Sequence, residues 1–211
     1  MKISRFFNPD NMFFRELSHL VDVVGLSLLW LLLCFPVVTI GPSTAALYHT
    51  AVKGLRHGDT ATFTRFLRSF RVNFKQGVIV SLIMLPIALL MKLGLDVMYT
   101  NSKSSQGLIM LSIYVAVLLI PLGILSWIFP LMGRFTFSTK QLFSTAFKLS
   151  IAHLPVSMLA AVITVAAICA MGFFVWPVLF VPMLTALILS FLFEKVFKRY
   201  MTEEENTYPE E

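Results

Sequence analysis

The side chains able to do chemistry are few, and their spacing is the first evidence about function. His19 and Asp22 stand one helical turn apart at the start of a long apolar run. An acid inside a membrane costs a few kcal/mol to bury and is a functional candidate for that reason. Asp22, however, sits within a turn of the predicted membrane surface, where water can reach it. His49, Lys53 and His57 recur at intervals of four on a predicted short helix. Two histidines without a neighbouring Cys or Glu fall short of the three or four ligands zinc takes, so they read as a solvated face. Lys92 and Asp96 have the i,i+4 spacing of a helical ion pair at an interface. His153 precedes Leu154-Pro155 at a helix entrance and reads as an interfacial or capping histidine. Cys34 and Cys169 lie singly inside apolar runs, as small packing residues.

No nucleophile elbow, P-loop, HExxH motif or dinucleotide fingerprint occurs in the sequence. The titratable groups are too scattered to assemble an acid, a base and a charge stabiliser in one pocket. The expectation is therefore a non-enzymatic protein with no catalytic residue, no metal and no cofactor.

The elements that hold these residues are set by hydropathy. The 211-residue chain is 57% hydrophobic and only 13% charged, against about 25% charged in a soluble domain. Four stretches carry no charge: Val23–Ile40, Gly77–Met91, Ser104–Gly133 and Leu149–Phe193. About 20 apolar residues in a helix cross a hydrocarbon core, and the last stretch is long enough for two crossings. The expected fold is an all-α membrane protein. Its single membrane domain, residues 1–201, has about five transmembrane helices near 20–40, 76–98, 107–131, 153–173 and 177–197. The first is expected to end at Phe35-Pro36, with Gly41-Pro42 following to close the helix, and Pro121 is expected to kink the third. Residues 202–211 form an acidic tail of the kind that stays disordered.

Short basic amphipathic helices complete the pattern. Phe63, Phe66, Leu67, Phe70 and Phe74 share one helical arc, with Arg65, Arg68, Arg71 and Lys75 opposite, and Thr60 or Thr62 as the cap. A related stretch lies within Met132–Ala152. Aligning Phe66–Asn73 with Phe143–Ser150, each after a Phe-Pro pair (Phe35-Pro36, Phe129-Pro130), gives a parallel repeat of span, amphipathic helix and span.

The net charge of +6 excludes nothing by its size, but its placement beside the spans points to headgroups and not to nucleic acid. With five spans and an external N-terminus, Lys and Arg divide twelve to four in favour of the cytoplasmic side. The amphipathic helices and the C-terminus then face the cytoplasm. The candidate helix-packing or partner surface is Trp30, Pro36, Thr39, Gly41, Pro42, Ala46, Phe66 and Phe70, because small and β-branched residues permit close backbone approach.

The string Val23–Tyr48, VVGLSLLWLLLCFPVVTIGPSTAALY, is the most distinctive in the chain. With the later Phe-x-x-[Ser/Ala]-Phe-[Arg/Lys] helices and His153-Leu154-Pro155, it resembles the YesL-like family of bacterial multi-pass integral membrane proteins. The resemblance implies a cell-membrane location and a gene context of carbohydrate ABC importers. It points to an accessory role beside an importer's membrane subunits or its sensing system, the alternative being a small oligomeric transporter or channel. It implies no catalytic or binding residues, and it leaves the oligomeric state open.

Overall fold

A computed structural model of the protein describes residues 12–55, 61–173 and 176–200. It is all-helical there, with no strand among the described residues. The helices are α1 (Met12–Leu33), α2 (Ile40–Thr50), α3 (Thr62–Val72), α4 (Phe74–Thr100), α5 (Ser105–Arg134), α6 (Thr139–Ala152), α7 (Leu154–Phe173) and α8 (Val181–Phe197). Single 3-10 turns at Val37–Thr39 and Trp176–Leu179 precede α2 and α8, and a π-turn at Ala51–Leu55 extends α2. The arm before residue 12, the His57-Gly58-Asp59 turn, Thr60 and the acidic tail lie outside the described residues, and so does the side chain of His19.

Among the described residues, α4, α5 and α7 are long and apolar enough to cross a membrane. The apolar part of α1, Leu20–Leu33, is shorter, and α8 has 17 residues. The expected first span therefore ends early. The chain leaves the helix at Leu33, turns through Cys34-Phe35-Pro36 and folds back, so that Trp30 Nε1 donates to Thr44 Oγ1 at 3.2 Å. Gly41-Pro42 opens α2 and does not close α1. The physical reason is positional: proline has no N–H to lose in a first turn, where that donor has no intrahelical partner. Thr62 likewise is the first residue of α3 and not its cap, which is Ala61. Pro121 lies inside a helix that runs unbroken from Ser105 to Arg134.

The helix contacts follow from small residues. The Gly41 backbone N–H donates to Ser81 Oγ at 2.8 Å, and a side chain at Gly41 would collide with the Gly77 carbonyl and Ser81. A Cβ on Gly77 would come within 2.5 Å of the Pro42 nitrogen. In the second half of the chain Gly123 meets Ser157 in the same way, its Cβ position 3.2 Å from the Ser157 Cβ.

The repeat is visible in the fold, but in another register. Asn73 breaks α3 from α4, and His153 breaks α6 from α7, eighty residues later. Each break carbonyl accepts from the residue four on, Gly77 N at 2.7 Å and Ser157 N at 3.0 Å. Buried positions then coincide, with Phe66 matching Ala146, Val80 matching Ala160 and Ser81 matching Ala161. Aligning Phe66 with Phe143 matches residue types and misses the shared buried positions by three residues. Phe35-Pro36 and Phe129-Pro130 are not equivalent either, since one is a turn and the other lies inside α5.

Two cores result. Trp127 centres one, its ring 4.4 Å from Phe193 and 5.8 Å from Phe197 by centroid, with its Nε1 donating to Ser157 Oγ at 2.8 Å. Phe66 anchors the other against Val23, Leu26, Ala46, Leu47 and Ala51. On α3, Phe66 is fully buried while Arg68 and Arg71 are exposed, the two faces that its periodicity predicts. Phe66→Ala should cost roughly 3–5 kcal/mol, whereas Arg68→Gln should leave the melting temperature in detergent unchanged. Gly77→Leu should also lower that temperature, and Gly172→Leu, where a Cβ meets nothing within 4 Å, should not. Equal losses from all four would refute these contacts.

Candidate functional site

The structure gathers buried polar groups where sequence reasoning placed none. Arg134, the last residue of α5, and Glu194, on the final turn of α8, form an ion pair at 3.4 Å with side chains 3% and 5% exposed. Tyr48 on α2 points its hydroxyl at the other Glu194 oxygen, 3.5 Å away. Beside it, His49 Nδ1 lies 2.8 Å from the Gly133 carbonyl. A carbonyl only accepts, so Nδ1 carries the proton. His49 is thus packed against the end of α5, and its Nε2 is buried too. The expected solvated histidine face is wrong at this position, because α2 docks where that face would meet water.

These contacts make one station at which α2, α5 and α8 are locked together. A second station lies next to it. The Ser157 hydroxyl accepts from Trp127 and sits 3.0 Å from the Ser150 carbonyl and 3.1 Å from that of His153. His153 Nε2 is 2.9 Å from the Tyr200 hydroxyl. His153 is also the C-cap of α6, which agrees with its expected capping place.

An apolar cavity of about 240 Å³ opens above Tyr48, between α1, α2, α5, α7 and α8. Trp30, Leu125, Phe129, Ile168 and Leu189 are among its walls. Three of its hydroxyls are bonded to their own helices: Thr44 to Ile40 O at 2.7 Å, Ser126 to Gly123 O at 2.7 Å and Thr164 to Ala160 O at 2.8 Å.

The residues singled out from sequence fall in several places. Thr39, Gly41, Pro42, Ala46 and Phe66 are buried within the chain, and Phe70 is partly buried against the Phe66 core. Thr39 sets its hydroxyl against the carbonyl of Leu33 at the end of α1, and against that of Pro36, which also accepts from the Thr39 N–H. Trp30 joins the cavity wall, and Pro36 is exposed beside Phe35, itself 89% exposed. Asp22 is half-buried on α1. Lys92 and Asp96 pair at 2.8 Å on the exposed surface of α4. The described residues hold no group of three or more potential metal ligands.

Glu194 was hidden by its neighbours. Flanked by Lys195 and close to Lys198 and Arg199, it reads as one charge of a polar helix end. The available signal was that an acid stands one helical turn from the apolar Phe197, and that a lone Arg134 ends the uncharged run Ser104–Gly133. Removing one member of a buried pair strands the other, at roughly 3–5 kcal/mol. Glu194→Leu and Arg134→Met should each lower stability by that order. The double variant should recover most of the loss, and simple additivity in the double-mutant cycle would refute the pairing.

Residues 23–95, from α1 into α4, match the family described as "Protein of unknown function, DUF624". Over 178 residues the chain is 25% identical to "Uncharacterized protein YesL" of Bacillus subtilis (strain 168), which covers 82% of this chain and 83% of that protein. No solved structure matches the chain. The family segment carries both the α1–α2 turn and the Gly41–Gly77 contact, and the likeness to YesL extends over most of the bundle. Over these residues the chain is similar to the YesL-like proteins that its sequence resembles.

Proposed function

We propose that this protein is a non-enzymatic accessory subunit of the bacterial cell membrane, packed beside the membrane subunits of a carbohydrate ABC importer or its sensing system. The observation that carries the non-enzymatic part is how buried charge is used. Arg134 and Glu194 pair with one another at a three-helix junction, and the cavity wall is mostly hydrocarbon, with Thr44, Ser126 and Thr164 bonded to their own helices. An active site would aim such groups at a substrate. The importer part rests on the family resemblance and its gene context.

In this reading α1 and α8 join α4, α5 and α7 to make five crossings, with the N-terminus external and α3 and α6 on the cytoplasmic side. The 12-to-4 division of Lys and Arg supports that orientation. The face offered to a partner is the α1–α2 turn, where Phe35, Pro36 and Val37 are exposed, continued by the apolar outer faces of α4 and α5.

A pull-down of tagged full-length protein from native membranes in mild detergent should recover importer membrane subunits. Phe35→Asp should reduce that recovery without lowering the melting temperature. Recovery of the protein with no transporter component would refute the assignment. Cysteine labelling in intact cells should find Ser104→Cys external and Thr202→Cys internal, and the reverse would overturn the orientation. The cavity favours one other reading, a small oligomeric transporter. Sugar flux into liposomes holding only this protein would replace the accessory role with that one.

A further inference from the structure

The cavity has a wall chemistry that selects its occupant. At about 240 Å³ it exceeds the roughly 150 Å³ apolar hollow that stays dry and accepts benzene. Water needs two to four polar partners in such a space, and a sugar needs more. Thr44, Ser126 and Thr164, the hydroxyls whose bonds are seen at the wall, spend them on Ile40, Gly123 and Ala160 of their own helices. The Trp30 N–H is taken by Thr44.

The cavity is also continuous with the lipid-facing surface. α5 and α7, which supply much of its wall, are helices fit to cross the membrane. Ile168 on α7 belongs both to the wall and to the outer face, where it is 58% exposed. A molecule already in the bilayer can reach the cavity past Ile168 without crossing a polar boundary. Tyr48 is the one member of the Arg134–Glu194 station at the wall, and none of the lining residues is charged. An uncharged, flexible hydrocarbon chain fits this wall.

We propose that the cavity is a lipid-binding site that takes one acyl chain of a membrane phospholipid from the side, through the gap at Ile168. The inference is independent of the accessory reading, since it concerns the bilayer and not a protein partner.

The test uses the full chain in phosphatidylethanolamine–phosphatidylglycerol vesicles, with a fraction of the lipid carrying a photoactivated diazirine in mid-chain. Crosslinks mapped by mass spectrometry should be several-fold denser at Leu125, Ile168 and Leu189 than at Leu89 and Leu90. That pair lies on the exposed face of α4 and reports ordinary lipid contact. Ala167→Trp, which fills the cavity, should abolish the excess and leave the α4 signal unchanged. If that variant does not fold, Met171→Trp at the same wall serves instead. In the wild type, an excess of unlabelled phospholipid should compete the signal and a disaccharide should not. Uniform labelling, an excess that survives filling, or competition by the disaccharide would each overturn the proposal.

Discussion

A guanidinium and a carboxylate removed from water at the ends of two apolar helices constrain much of the rest. Neither Arg134 nor Glu194 can be left alone in that position, because an isolated charge in a weakly polarisable medium is far costlier than a paired one. α5 and α8 must therefore end in register, and Tyr48 must arrive from α2 to meet the carboxylate. Apolar packing alone supplies no such register, since leucine and valine faces slide past one another at small cost. Trp127 then fits against Phe193 and Phe197 at fixed spacing beside that junction. The pair adds position more than net stability.

Close backbone approach is the second determinant, and it explains the repeat. A glycine at 41 lets α2 lie against Gly77 and Ser81, and a glycine at 123 lets α5 lie against Ser157. In each half the partner serine lies two turns or less into the helix that follows a one-residue break, after Asn73 or His153. Without a hydrophobic difference between side chain and lipid, contact between such helices depends on packing and hydrogen bonds, for which small residues are suited. The two halves need not share side chains to share this geometry.

That also sets what was legible in the sequence. Hydropathy located α4, α5 and α7 to within a few residues, because a long uncharged run has few alternatives. The faces of α3 were legible for the same reason, as Phe66 and Arg68 fall on opposite sides of a 3.6-residue period. The end of α1 was legible only in Phe35-Pro36, and the fold-back of the chain after it was not. Nothing in Leu32–Ile40 is polar enough to mark a turn except Thr39, and the run reads as one helix until Pro36 is weighed against the pattern. His49 was misread and Glu194 passed over because burial of a polar side chain depends on which helix docks over it, and that is a tertiary fact. The cavity had no sequence signal, since its wall residues are those of any apolar helix and come from five separate elements.

The turn at Phe35-Pro36 connects these levels. Had α1 continued as a helix into α2, Trp30 and Thr44, fourteen residues apart, would be separated by about 21 Å at 1.5 Å per residue. The turn brings them to 3.2 Å and so places an indole against the side of the cavity. In the second half of the chain the corresponding stretch, through Pro121 to Gly123, stays helical and gives the cavity its straight opposite wall. The hollow is therefore a consequence of how the two halves differ. One half folds back at the Phe35-Pro36 turn, and the other stays helical from Ser105 to Arg134. A substitution that straightened the first would remove the Trp30 wall while leaving Gly123–Ser157 and the Arg134–Glu194 pair in place. Cavity and bundle are in that sense separable, although the same chain segment builds both.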